Sequence, residues 1–212
     1  MQALWLFVTV LTVLGLLLEP MGATRGRGRR RNPPKERPID KIHAVQNLNM
    51  DQLKGKWFLI SVASKCQYLR ENNFRVESTT MTLTPPTSPN SPLIVDTLRK
   101  LNQQCWNIKQ EYKLTNTSGR FVLKGHSKDI DIVLAETDYN SYAILYYQKG
   151  DQITMKLYGG STKLPDSIMD KFEQLAEKQN INIDHVYPFP KYGRLLVFML
   201  KTHNQKYFCY KQ

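Results

Sequence analysis

The chain opens with an apolar run without charges over residues 4–18, and no run of that length returns. From Asn49 onward the pattern changes. Segments of five to ten residues, rich in Val, Ile, Thr, Tyr and Phe, alternate with turn signals as far as residue 160. They predict strands near 56–65, 75–84, 92–101, 104–113, 119–125, 129–138, 141–148 and 152–160. The proline-rich residues 85–92 cannot lie inside a strand. Residues 116–119 and 149–151 read as hairpin turns. Eight strands joined by short turns predict an all-β, up-and-down antiparallel barrel, whose closure leaves no exposed edge. Residues 165–180 then switch to helical period. Ile168, Met169, Phe172, Leu175 and Ala176 share one face, and Asp170, Lys171, Glu173, Glu177 and Lys178 share the other. Pro165 suits the first turn, with Asp166 at the positive end of the helix dipole.

Strand facing is legible at one place only. Ile153, Met155 and Leu157 alternate with Thr154, Lys156 and Tyr158. The first set is read as inward, lining a cavity with Trp57, and the second as outward. Residues 130–135 and 143–147 are apolar or aromatic on both faces, so the pattern leaves their direction open. An eight-stranded barrel either encloses a small ligand or is filled by its own side chains.

Charge and composition add the extensions. A chain of 212 residues allows one ordinary domain plus flanking segments. Residues 1–23 read as a secretory signal peptide: the apolar run is short for a membrane span, Glu19 and Pro20 break it, and Gly22 and Ala23 follow. An uncleaved anchor is the alternative. Secretion to the extracellular space is therefore expected. Half of the formal net charge of +12 falls in residues 24–44, read as a disordered arm rich in proline and arginine. It reads as a solvated leader, as a contact for an acidic protein face or polyanion, or as a processing site at Arg27-Gly28-Arg29-Arg30. No aromatic residues interleave its charges, and a secreted chain rarely meets nucleic acid, so no nucleic-acid partner is expected. Outward charges such as Lys156 leave no lipid-facing band, so no direct membrane insertion is expected either.

Gly55-Lys56-Trp57 opens the first strand, and Thr137-Asp138-Tyr139 ends a later one eighty residues on. The glycine lets the chain turn tightly into the strand, and the tryptophan supplies a large apolar plug. With strands between and a helix after, the pair resembles the lipocalin family. The resemblance implies a floor closed around Trp57, a hairpin beside it at Thr137-Asp138-Tyr139, and a helix packed outside the barrel. Further matching stretches are Ser64-Lys65-Cys66-Gln67-Tyr68-Leu69, Cys105-Trp106 and Phe189-Pro190-Lys191-Tyr192-Gly193. Over residues 45–193 they are similar to a complement-associated branch of the family. That resemblance implies a non-enzymatic subunit of the secreted membrane attack complex. Its Cys66 would be disulfide-linked to an alpha chain and, through that chain, associated with a beta chain. It also implies an internal bridge from Cys105 to the C-terminal segment, where Cys209 is the cysteine present. The alternative branch is alpha-one-microglobulin-like, implying a free plasma carrier of a small hydrophobic ligand. Two departures stand out. Gly160 replaces an arginine that covers the floor tryptophan in other lipocalins, and residues 194–212 resemble nothing in the family.

Reactive chemistry is sparse. Three cysteines cannot all pair internally. The resemblance gives Cys66 the interchain link; a buried reduced thiol, or a nucleophile activated by Lys65 in a thiol-dependent enzyme, are the alternatives. His43, His126, His185 and His203 are scattered, without metal-ligand spacing. No catalytic constellation, glycine-rich phosphate loop, metal site or cofactor is expected. Asp129, Asp131, Glu136 and Asp138 read as a solvated exterior. Asn116-Thr117-Ser118 is an N-glycosylation sequon in a predicted turn.

Overall fold

The structure is a computed structural model that describes residues 36–72, 76–101 and 104–189. The expected signal sequence, the arm up to residue 35, Cys209 and the atypical tail lie outside the described residues.

The eight predicted strands form as β1 (Gly55–Ser64), β2 (Val76–Thr84), β3 (Leu93–Leu101), β4 (Gln104–Leu114), β5 (Arg120–Leu123), β6 (Ile130–Thr137), β7 (Tyr142–Lys149) and β8 (Gln152–Gly159). Each pairs antiparallel with the next. β1 pairs with both β8 and β2, which closes an eight-stranded barrel. A ninth strand, β9 (Val186–Pro188), joins the far half of β1 at Ser61, Val62 and Ala63. It follows the helix and is too short to carry a periodic signal. Two short helices were likewise not predicted: α1 (Met50–Leu53), below the barrel floor, and α2 (Gln67–Asn72), after β1. The long helix α3 (Asp166–Lys178) matches its predicted span.

The apolar residues divide into two cores, on opposite sides of the barrel wall. The inner core gathers Trp57, Leu59, Val62, Met81, Leu83, Val95, Tyr112, Phe121, Ile132, Leu134, Leu145, Tyr147 and Tyr158. The outer core gathers Ala63, Val133, Ile144, Tyr146, Met155 and Leu157 with Phe172 and Ala176 of α3. Ile168, Met169 and Leu175 pack against its margin, so the predicted helix face is the buried one. Adjacent residues of β7 alternate between the two cores, which is why that strand is apolar on both faces.

This arrangement reverses the expected facing of β8. Met155 and Leu157 are fully buried, but under α3 and outside the barrel; Ile153 packs against the same outer core. Of the expected cavity lining, Trp57 alone belongs to the inner core. Lys156 and Tyr158 point inward. Cross-strand partners in an antiparallel ladder share a face, and Lys156 lies opposite Val62 and Leu145, both of the inner core. Lys156 is therefore not the outward charge expected of it, whereas Lys109, Glu111 and Lys113, which alternate with inward Tyr112 on β4, are exposed.

The last part of the span expected as a disordered arm is ordered. Residues 36–44 form an ordered strap against the barrel. Pro38–Lys41 make a 3₁₀ turn that buries Ile39 completely. The Ile39 amide donates to Gln148 Oε1 at 2.8 Å. The Arg120 guanidinium donates to the carbonyls of Ile39 and Ile42, and Arg37 pairs with Asp40 and Asp131. Ile39, Ile42 and Ala44, interspersed with charges over so short a stretch, set no recognisable period, so the sequence pattern conceals the strap.

Candidate functional site

The two sequence motifs meet at the floor. Gly55 enters β1 at φ 124, a conformation open to glycine and costly for other residues. Trp57, 4% exposed, then fills the base of the barrel, and its indole N–H donates to the Leu53 carbonyl at 3.0 Å. That carbonyl belongs to α1, whose start is capped by the Asn49 side chain accepting from the Asp51 and Gln52 amides. Tyr139, held at φ 65, presents its hydroxyl to the Asn49 amide at 3.3 Å. Thr137 Oγ1 donates to the Tyr142 carbonyl and accepts from the Tyr139 amide. Asp138 Oδ1 accepts from the amides of Asn140, Ser141 and Tyr142. Burial would raise the Asp138 pKa, but these donors outweigh it and hold it at about 2. The motifs therefore act as one unit that seals the barrel below.

Gly160 has a geometric reason. A Cβ at this position would lie 2.0 Å from the Asn140 carbonyl oxygen, part of the same turn. An arginine cannot occupy it without moving that turn. Gly160→Arg is expected to destabilise the domain by about 1–3 kcal/mol, read as a lower urea midpoint. An unchanged midpoint would show that the turn yields freely.

The opposite end is open. Along the inward face of β4, Tyr112 is 3% exposed, Ile108 40% and Trp106 52%. The lower barrel is thus filled by side chains, and the upper barrel is a calyx with apolar walls reachable from solvent. At the level where filling stops, the Tyr112 and Tyr147 hydroxyls lie 3.5 Å apart. The Lys156 ammonium lies 4.2 Å from the centroid of the Tyr147 ring. Burial, and then the charge of Arg99, lower the Lys156 pKa to about 8. Arg99 projects inward from β3, opposite Thr79 and Trp106. Both cations escaped the sequence reading. A lysine between two apolar residues reads as solvated, and the signal that could have exposed it is the apolar Met155-x-Leu157 pair facing a helix.

Cys66 is a free, half-buried thiol. It lies two residues beyond the end of β1, and its amide donates to Ser64 Oγ at 3.2 Å. Ser64 Oγ in turn shares a hydrogen bond of 2.8 Å with Thr154 Oγ1, on the inward face of β8. Trp57 near the start of β1 and Cys66 beyond its end are separated by nine residues, roughly 30 Å at about 3.3 Å per residue. Cys66 consequently sits at the calyx rim. After it comes helix α2, which carries the exposed Tyr68.

The remaining candidates separate. Cys105 lies on β4, opposite Lys100. Asn116 is exposed in the turn between β4 and β5. Asp129 pairs with Lys124, Asp131 with Arg37, and Glu136 with Lys171 on the barrel exterior. Among the described residues no histidine hydrogen-bonds to Cys66, no cluster of His, Cys, Asp and Glu suits a metal ion, and no helix is long and apolar enough to cross a membrane.

Comparison with known proteins agrees with this geometry. Residues 54–192 match the Lipocalin / cytosolic fatty-acid binding protein family. The chain is 36% identical over 188 residues to the complement component C8 gamma chain of Oryctolagus cuniculus, covering 87% of this chain and 92% of that one. It is 28% identical over 162 residues to protein AMBP of Bos taurus, covering 73% of this chain and 46% of that relative, so it spans about half of AMBP. Among solved structures, the siderocalin Ex-FABP aligns with a TM-score of 0.59 and 20% identity, over 68% of this chain and 97% of that one, a likeness of fold. A closed barrel sealed around Trp57, open at Cys66 and matched over residues 54–192 makes this chain a member of the lipocalin family.

Proposed function

We propose that the chain is a non-enzymatic subunit of a secreted complement complex, joined by a disulfide from Cys66 to an alpha chain and, through it, associated with a beta chain. One observation carries this reading: the free Cys66 thiol stands at the rim of an open calyx whose exposed inner wall includes Trp106 and Ile108. Solvent-facing apolar side chains on an inner wall call for an occupant, and a thiol beside them can tether one. The similarity to a complement gamma chain supports the choice of partner. An internal bridge from Cys105 to Cys209 and an oligosaccharide on Asn116 belong to the same proposal. The similarity to AMBP favours a second reading, a free carrier of a small hydrophobic ligand.

A tethered segment has a high effective concentration at the mouth, so even weak contacts there are occupied. The isolated chain is expected to take up an apolar fluorophore, and a saturating amount of the alpha-chain segment is expected to displace it. Uptake unchanged by the segment contradicts the shared mouth and leaves Cys66 as a tether alone.

A further inference from the structure

Helix α2 sets a cation against the thiol at the rim. The Arg70 amide donates to the Cys66 carbonyl at 3.1 Å, so the two residues stand one helical turn apart. Arg70 is exposed and makes no ion pair among the described residues. The neighbouring Glu71 is engaged elsewhere: its carboxylate accepts from the Gln67 side-chain amide at 2.7 Å. Lys65, on the other side of the thiol, is also exposed.

Tyr187 adds a second, independent sign. It comes from β9, opposite Val62 of the inner core, and cross-strand partners share a face. The residue is 6% exposed, and its hydroxyl is buried without a hydrogen-bond partner among the described residues. Burial raises the pKa of this hydroxyl; the charge of Arg70 opposes the rise and that of Cys66 adds to it. The hydroxyl therefore lies within electrostatic reach of both the guanidinium and the thiol. Buried polar groups in folded proteins are almost always satisfied, so this orphan points to an acceptor supplied from elsewhere. A guanidinium without a carboxylate and a hydroxyl without an acceptor thus converge on Cys66. A carboxylate has enough lone pairs to accept from both at once. The calyx behind them holds Lys156 and Arg99, whose field favours the same sign of charge at the mouth.

We propose that the partner segment joined to Cys66 is acidic, with a carboxylate side chain within one residue of its own cysteine seated by Arg70 and Tyr187. This rests on the Cys66 link proposed above and adds the chemistry of the segment that makes it. The seat holds the two sulfurs together before the bond forms. In the exchange, the Cys66 thiolate attacks one sulfur of the partner's disulfide. A new S–S bond forms, and the outgoing thiolate leaves with the electron pair of the broken bond, so no separate oxidant is consumed.

The test follows exchange at Cys66 of the full-length protein with two end-blocked tripeptides, Glu-Cys-Glu and Gln-Cys-Gln, each activated as its pyridyl disulfide. Release of thiopyridone reports the reaction, and Cys66→Ala supplies the background. The Glu peptide is expected to react at least about fivefold faster at low ionic strength. Arg70→Gln is expected to abolish this preference, and Arg70→Lys to keep part of it. Lys65→Gln is expected to leave most of it, which separates a seat at Arg70 from a diffuse basic rim. Tyr187→Phe is expected to weaken the preference without lowering the urea midpoint, because it removes only an unsatisfied hydroxyl. Equal rates for the two peptides overturn the acidic seat and leave the Cys66 link standing on its own covalent test. A preference that survives Arg70→Gln, or one lost equally in Lys65→Gln, overturns the role assigned to Arg70. No release from either peptide contradicts a reachable Cys66, and with it the proposed link.

Discussion

Replacing Trp57 with alanine is expected to lower the unfolding free energy of the domain by about 3–5 kcal/mol. The side chain is buried at the base of the barrel among Leu53, Leu83 and Leu93. Its removal leaves a cavity where the floor cannot collapse, because β1 is held there by both β2 and β8. The loss also frees the Leu53 carbonyl, and with it the end of α1. Trp57→Phe keeps most of the volume and loses the hydrogen bond, so it is expected to cost about 1–2 kcal/mol. Urea unfolding of the three proteins measures both. A Trp57→Ala cost under about 1 kcal/mol would mean that the floor is held by something other than this residue.

Replacing Lys156 with methionine is expected to stabilise the protein at neutral pH. A fall in pKa from 10.5 to about 8 on folding corresponds to at most about 3 kcal/mol against the charged fold. Contact with solvent in the calyx reduces that figure, so a gain of about 1–2 kcal/mol is expected. The sign follows from proton binding. Below pH 8 both folded and unfolded chains carry the proton, and the cost of burying the charge is fully present. Between pH 8 and 10.5 the unfolded chain binds more protons, so this cost disappears as pH rises. The stability difference between Lys156→Met and the parent is therefore expected to shrink across that window. A constant difference from pH 7 to 10.5 would show that the ammonium is not the source.

The eight strands, the helix and the floor motifs were legible because each leaves a local trace. Turn residues bound the strands, Gly55 and Trp57 mark the floor, and Phe172 and Ala176 repeat at helical spacing. The facing of β8 was misread for a physical reason. Apolar residues go where water is excluded, and here the drier side of Met155 and Leu157 is outside the barrel, under α3. The inner side at Lys156 opens onto a calyx. A rule that equates barrel interior with apolar core fails where part of the interior opens to solvent. The strap at residues 36–44 and β9 were invisible because both depend on tertiary partners: Gln148 for Ile39, and Ser61 to Ala63 for β9. The position of Cys66 was readable from the length of β1, but the two cations beneath it required the registers of β3 and β8.

The proposed covalent link to a larger chain runs through Cys66, at the calyx rim. It is tested most directly by co-expressing the parent protein and Cys66→Ala with the complement alpha chain and running both on a non-reducing gel. The parent is expected to migrate as a disulfide-linked heterodimer that reduction separates. Cys66→Ala is expected to run as a free monomer, with the unfolding midpoint of the parent chain, since the half-buried thiol lies outside both cores. A Cys66→Ala chain that still migrates with the alpha chain, or a parent chain that never does, would contradict the claim.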